Sequence, residues 1–149
     1  MGGNISLIYR YNEKYFRNVL YYRLNPIVSS FLKLFLKENS TLHIGCQDIG
    51  PGLLIVHGDA TFIYAKTIGK NLYVNQCVTI GVVGTKAPVI GDNVRVATGA
   101  IVIGDISIGN DVTIGAGSII TKNVPEKCVV VGNPARIVKM DEKKVNIPL

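Results

Sequence analysis

Residues 89–120, VIGDNVRVATGAIVIGDISIGNDVTIGAGSII, repeat with a period of six. An aliphatic residue stands at every sixth position, at Ile90, Val96, Val102, Ile108, Ile114 and Ile120. A period of six fits neither a helix of 3.6 residues per turn nor a strand alternating every two residues. It indicates short flat strands joined by tight corners, in which the aliphatic residue of each hexad points inward and stacks on its equivalent one coil away.

The same frame continues toward the N-terminus through Ile49, Ile55, Phe62, Ile68, Val74 and Ile80. Two interruptions occur, with one extra residue between Ile55 and Phe62 and four between Ile80 and Ile90. Three hexads close one triangular coil, so twelve hexads predict about four coils. The fold class predicted is all-β, a parallel β-helix preceded by a short α-helical leader.

The leader has a different pattern, with mixed apolar and basic residues at 12–24 and 27–38. This pattern predicts two helices separated at Asn25-Pro26, because the residue before a proline disfavours helical backbone. The predicted division is a basic helical leader at 1–40, a β-helix domain at 41–139 and a C-terminal tail at 140–149. We expect the leader to cover one open end of the β-helix. The alternative is that its basic amphipathic surface contacts an anionic membrane leaflet.

Composition excludes several classes of protein. The net charge is +6, but residues 41–149 carry only +2, with no basic stripe typical of nucleic-acid binding. The three cysteines, Cys46, Cys77 and Cys128, are widely spaced and form no CxxC motif. Neither a zinc site nor a disulfide framework is therefore expected. The lack of a disulfide pattern indicates a reducing compartment, so a cytoplasmic protein is predicted. The alternative is a protein in peripheral contact with the inner face of the membrane.

The chain resembles the hexapeptide-repeat acyltransferases, and within them the serine acetyltransferase-like branch. The resemblance covers about Leu42 to Lys139. The sequence motifs that carry it are LIVHG (54–58), VTIG (78–81), VIGDNV (89–94), IGAGS (114–118) and the closing GNPARIV (132–138). The resemblance implies a left-handed β-helix and a homotrimer in which acetyl-CoA lies in a groove between neighbouring subunits. No metal is implied.

Acyl transfer from a thioester to a hydroxyl needs a base for the hydroxyl proton, and a histidine suits this role near neutral pH. The chain has two histidines, His43 and His57. His57 lies at a predicted corner, two residues after Ile55, and matches the family's catalytic histidine, whereas His43 matches no family site. We therefore predict His57 as the general base.

The resemblance also implies contacts to acetyl-CoA. Small residues would let the pantetheine arm approach the backbone, and two cations would contact the phosphates. The predicted residues are Gly81, Ala97, Thr98, Gly115, Ala116, Lys122 and Arg136. The small residues have a second interpretation, since tight corners require them whether or not a ligand binds.

The chain departs from the serine enzymes at three places. Val56 stands where they have an Asp before the catalytic histidine, Lys86-Ala87-Pro88 replaces a second histidine before a proline, and Leu42 replaces a carboxylate fifteen residues upstream. Asp59 and Asp48 are candidates for orienting His57. The candidate acceptor contacts are Asp59, Asn75 and Lys86.

The chain also resembles the short, helix-leader acetyltransferases associated with bacterial surface polysaccharides. The resemblance lies in Tyr21-Tyr22-Arg23, in the His57-Gly58 corner and in the compact loop after the middle coils. The favoured prediction is an acetyl-CoA-dependent O-acetyltransferase acting on a hydroxyl of a sugar or surface-polysaccharide precursor. The alternatives are serine O-acetylation, N-acetylation of an amino-sugar and a non-catalytic trimeric scaffold. A zinc-dependent carbonic anhydrase of this fold is excluded, because it needs three histidine ligands.

Overall fold

The computed structural model describes residues 15–46 and 48–149. Two helices precede the strands: α1 covers residues 15–23 of the described chain, and α2 covers Pro26–Lys33. The strands are β1 (Leu42–Ile44), β2 (Asp48–Ile49), β3 (Leu54–Ile55), β4 (Thr61–Ile63), β5 (Thr67–Ile68), β6 (Tyr73–Val74), β7 (Thr79–Gly81), β8 (Val89–Ile90), β9 (Arg95–Val96), β10 (Ile101–Ile103), β11 (Ser107–Ile108), β12 (Thr113–Ile114), β13 (Ile119–Ile120), β14 (Cys128–Val131), β15 (Arg136–Met140) and β16 (Lys143–Pro148).

Each strand pairs with the strand three positions later in the chain, so the chain winds into a three-sided coil. Face A contains β1-β4-β7-β10-β13, face B contains β2-β5-β8-β11, and face C contains β3-β6-β9-β12-β14 followed by β15 and β16. A bridge between Ile108 and Val124 completes the last coil on face B. The predicted β-helix is confirmed. It has five coils rather than about four, because β1 and β14 add to the hexads counted from the sequence.

The core consists of the inward side chains of successive coils. Ile80, Val102 and Ile120 stack on face A, and all three are fully buried. Equivalent stacks of Ile and Val run along faces B and C. Burying each such side chain contributes roughly 1.5–3 kcal/mol, which explains why the six-residue period persists through the domain.

The prediction that Phe62 points inward was wrong. Phe62 is 42% exposed, whereas Ile63 is fully buried and pairs in register with Ile80. Two adjacent apolar residues satisfy the sequence pattern equally well, and only the strand register selects between them. The inward positions therefore run 55, 63 and 68, so two extra residues enter at the corner containing His57 and one is missing at the next corner.

The four-residue insertion after β7 forms a tight projecting hairpin. The amide of Val83 donates to the Lys86 carbonyl at 2.9 Å, and the Lys86 amide donates back at 3.1 Å. Gly84 adopts a φ of +62°, which the turn requires and which residues with a Cβ atom resist. The insertion projects from the corner between faces A and B.

The leader covers the first coil through α1. Tyr15 and Tyr21 are buried, and Asn18 donates to the carbonyl oxygens of Asn39 and Leu42 at 2.9 Å. The predicted covering role thus holds for α1, although residues 1–14, which include the predicted start of this helix, lie outside the described residues. It was wrong for α2, whose residues Ile27 and Phe31 are exposed. Neither described helix has the length and hydropathy that crossing a bilayer requires.

The C-terminal residues extend face C. Strand β15 pairs antiparallel with β14, and β16 pairs antiparallel with β15. Residues 140–149, predicted as a tail, thus contain a paired strand. The sequence does not repeat with a period of six in this region, so the prediction had no pattern on which to place that strand.

Candidate active site

His57 lies at the corner where face C turns into face A, which we call corner CA. The register of face C places residues 56–57, 75–76, 97–98 and 115–116 at this corner in four successive coils. Neighbouring parallel strands lie about 4.8 Å apart, so the edge from His57 to Ala116 is roughly 14 Å long. Corner CA therefore brings together His57, Asn75, Ala97, Thr98, Gly115 and Ala116, all predicted as site residues.

Backbone geometry explains the small residues along this edge. Cys77, Gly99 and Gly117 have φ of +56°, +69° and +66°, and their amides donate to carbonyl oxygens of the preceding coil. A Cβ at Gly117 would meet no atom within 4 Å, and one at Gly99 would only reach the Gly117 amide at 3.9 Å. The space outside Gly99 and Gly117 is open and can accommodate a ligand, whereas a Cβ at Gly115 would meet Val131 Cγ1 at 2.8 Å.

The His57 side chain is exposed at the top of this edge. The two extra residues of its corner give this coil a wider turn than the coils below it. Among the described residues, no side chain or backbone group forms a hydrogen bond with its imidazole. The ring is therefore accessible to an incoming hydroxyl, as a general base requires.

Asp59 does not orient His57, contrary to one of the two hypotheses. Its Oδ2 accepts a hydrogen bond from the Tyr15 hydroxyl at 2.6 Å, and its Oδ1 accepts from Thr41 Oγ1 at 3.1 Å and Asn39 Nδ2 at 3.5 Å. The carboxylate ties α1 to the first coil. Asp48 lies in β2 on face B, so neither carboxylate is placed as the partner of His57.

We expect Tyr15→Phe to destabilise the protein by about 1–2 kcal/mol, because it removes a hydrogen bond to a carboxylate that is itself partly solvated. Urea unfolding measures the change. Tyr73→Phe is the matched control, since Tyr73 lies on face C and its ring contact with Arg95 persists in phenylalanine. Equal losses in both variants would contradict the role given to Asp59.

Three other predicted residues lie at the opposite edge of face A, at the corner between faces A and B, which we call corner AB. Gly81 ends β7, Lys86 lies in the projecting hairpin and Lys122 follows β13. The Lys86 ammonium contacts Asp105 Oδ2 at 2.8 Å, and this hydrogen bond raises the pKa of Lys86 and lowers the pKa of Asp105. Face A separates these residues from His57 within one subunit.

The two predicted phosphate-binding cations lie near the last coil. Lys122 donates to the Leu149 carbonyl oxygen at 2.8 Å and borders a cavity of about 210 Å³ beside the exit phrase Asn133-Pro134-Ala135. Arg136 donates to Asn146 Oδ1 at 2.6 Å. Within the described chain neither side chain forms an ion pair with Asp or Glu, although both donate hydrogen bonds to neighbouring oxygens.

His43 lies on the outer side of face A. Its ring stacks on Phe62, with centroids 4.8 Å apart and planes 10° from parallel. This packing explains the histidine without a catalytic role. No cluster of three or more His, Cys, Asp and Glu side chains suited to a metal occurs in residues 15–46 and 48–149.

Sequence reasoning missed the apolar outer side of face A. Phe62, Tyr64, Ile101, Ile103 and Ile119 all point outward there. Face B presents the polar residues Asp48, Thr67 and Ser107 at equivalent positions, together with one apolar residue, Val89. The signal was present, since Ile101 and Ile103 flank the inward Val102 where a solvated strand has polar residues. An outer sheet surface of this kind indicates an interface.

Comparisons with known proteins agree with this geometry. Residues 87–122 match the family model described as bacterial transferase hexapeptide (six repeats). The chain is 43% identical over 109 residues to a serine acetyltransferase of Staphylococcus aureus (strain Mu50), covering 70% of this chain and 51% of the relative. It is 36% identical over 143 residues to the serine acetyltransferase of Bacillus pumilus, covering 93% and 64%.

A solved structure, soybean serine acetyltransferase complexed with serine, superposes with a TM-score of 0.63 at 30% identity, covering 82% of this chain and 53% of that one. The chain therefore spans about half the length of several relatives it matches.

Proposed function

The chain carries the left-handed β-helix of the hexapeptide-repeat acyltransferases, of the serine acetyltransferase type, and on this premise we propose that it transfers the acetyl group of acetyl-CoA to the hydroxyl of L-serine. The observation that carries the proposal is corner CA, where an accessible His57 stands at the head of an open edge of small residues. Neither His57 nor the edge of small residues suffices for acetyl transfer alone, because the base acts only when the thioester is held beside it.

In the proposed reaction the His57 imidazole takes the proton of the serine hydroxyl as its oxygen attacks the thioester carbonyl. The tetrahedral intermediate collapses with cleavage of the carbon–sulfur bond, and the leaving thiolate takes the proton back from the imidazolium. The products are O-acetylserine and free CoA. An exposed imidazole at a fixed corner suits this shuttle, since the same ring faces both the hydroxyl and the sulfur.

The thioester arm would follow corner CA downward from His57, past Ala97 and Thr98 to Gly115 and Ala116. Small side chains let an extended chain approach the backbone, and about 14 Å of edge is available at the strand spacing of a sheet. The phosphates would meet Lys122 and Arg136. Lys122, however, stands at corner AB, so the full site requires a second subunit.

We therefore propose a homotrimer with the apolar outer sides of face A turned toward the three-fold axis. Corner CA bounds one edge of face A and corner AB bounds the other. A cyclic arrangement of three such faces brings corner CA of each subunit beside corner AB of the next. Corner CA would then face Gly81, Lys86 and Lys122 of the partner subunit, with Lys122 three coils below the level of His57. This arrangement explains why the predicted residues divide between two edges.

Support for the acceptor comes from the relatives. They are named serine acetyltransferases, and the soybean structure binds serine. These findings favour serine over the sugar acceptor that the sequence analysis preferred. One observation keeps a sugar hydroxyl as the second candidate. The polar groups of the serine enzymes are replaced here, an Asp by Val56, a histidine by Lys86 and a carboxylate by Leu42. Leu42 is buried in the core.

Thiol release from acetyl-CoA tests the proposal, with L-serine, glucose, UDP-sugars and glucosamine offered separately. We expect release with L-serine to exceed the background hydrolysis of acetyl-CoA by at least about tenfold, because His57 catalyses only when an acceptor is bound. Release with sugars alone would replace serine by the second candidate, and release with glucosamine alone would indicate N-acetylation. Background rates with every acceptor would favour the scaffold alternative.

A further inference from the structure

The outer surface of α2 and the turn after it, residues 27–36, is apolar and solvent-exposed; we call it the leader patch. Ile27 is 81% exposed, Phe31 60%, Leu34 76% and Phe35 72%. The buried side chain of α2 is Ser29, whose hydroxyl donates to the Pro26 carbonyl. The helix thus reverses the usual order, in which apolar residues face the protein and polar ones face water.

The patch is contiguous. Ile27 and Phe31 are four residues apart and share one side of α2, and Phe35 lies in the turn that follows it. The rings of Phe31 and Phe35 contact each other edge to face, with centroids 5.4 Å apart. The neighbouring helix α1 directs Tyr15 and Tyr21 into the protein, so the two helices of the leader have different partners. The first coil is already covered without the leader patch.

The described leader, which includes the patch, carries a net positive charge. The described leader, residues 15–40, has four Arg or Lys against one Glu, a balance of +3. Lys33 pairs with that Glu, Glu38, at 2.9 Å, while Arg17 lies beside Lys37 and donates to its carbonyl at 3.3 Å. Two copies of a basic patch repel each other, whereas an anionic surface attracts it. Apolar side chains rimmed by cations are typical of helices that lie in the headgroup region of a membrane.

We infer that the leader patch docks the protein on an anionic membrane surface, with α2 lying in the interface plane. The aromatic and aliphatic side chains enter the headgroup region, and Lys37 and Arg17 contact lipid phosphates. The inference extends to avidity, and this part rests on the proposed trimer. A three-fold axis parallel to the coil axis places all three leaders at one end, so three patches meet one flat surface together.

Flotation of the full chain with lipid vesicles tests the inference. We expect binding to phosphatidylcholine–phosphatidylglycerol vesicles, weak binding to pure phosphatidylcholine, and weakening at high salt. The double variant Phe31→Gln/Phe35→Gln should bind at least about tenfold more weakly, since two aromatic rings no longer enter the interface. Lys37→Gln should lose roughly fivefold. Ile147→Gln, an exposed apolar residue on β16 at the other end of the coil, is the matched control and should bind normally.

Three outcomes would overturn the inference: no flotation with either vesicle, equal binding of the double variant, or a double variant whose only change is a smaller oligomer. The last would assign the patch to a second copy of the chain. Serine-dependent thiol release should be unchanged in the double variant, because neither phenylalanine belongs to the site. Failure of the membrane inference is therefore distinguishable from failure of the proposed function.

Discussion

His57→Ala is expected to lower acetyl transfer by about 10²–10⁴-fold, the usual contribution of a general base. The loss should appear in kcat rather than in the KM for acetyl-CoA, because the small residues that line corner CA remain. Thiol release at saturating acetyl-CoA and serine measures it. Folding should be unaffected, since the imidazole is exposed and no described group bonds to it.

His43→Ala provides the matched control. It also removes an exposed imidazole, and the only described contact of that ring is its stacking on Phe62. We expect its transfer rate to stay within about twofold of the parent, because His43 lies outside corners CA and AB. Size-exclusion chromatography with light scattering checks that this change on face A leaves the proposed trimer intact. Equal losses in the two variants would contradict the assignment of the base, and so would a fully active His57→Ala variant.

The coil architecture was predictable because one physical rule repeats along the chain. An inward aliphatic side chain must contact its equivalent one coil away, so the six-residue period of burial can be read from the sequence of residues 89–120. The corner position of His57 was predictable for a related reason. A histidine two residues after an inward position and just before an irregularity must lie at a corner, and corners are exposed.

Strand register was not predictable around Phe62 and Ile63. Either residue can fill the inward position, and the choice depends on pairing with Ile80 in a strand seventeen residues later. The same applies to Asp59, whose carboxylate bonds to Tyr15 in the leader, 44 residues away in sequence. Contacts of this kind depend on how α1 packs on the first coil, and no local pattern in the sequence encodes them.

The division of the predicted site between corners CA and AB also needed the structure. In the sequence, Gly81 and Ala97 look equivalent, since each ends a short strand in a glycine- and alanine-rich stretch. The fold places Gly81 at the end of face A and Ala97 at the end of face C. Residues on two edges of one prism can form one groove only across an interface between subunits.

That conclusion predicts the effect of charging face A. Ile101→Glu should convert the proposed trimer to monomers and reduce serine-dependent thiol release by at least about 100-fold. Burying an unpaired carboxylate costs several kcal/mol per ion, and a three-fold interface would bury three of them. Size-exclusion chromatography with light scattering measures the assembly, and the same samples give the rate.

Ser107→Glu separates this effect from simple charge or folding damage. Ser107 lies on the same coil as Ile101 and is exposed, but it belongs to β11 on face B. It should leave both the assembly and the rate unchanged. Urea unfolding of the Ile101→Glu monomer should show an intact β-helix, because the Ile101 side chain points outward while Val102 fills the core. A monomeric Ile101→Glu variant with the parental rate would mean that one subunit holds a complete site, and corner AB would then have no part in catalysis.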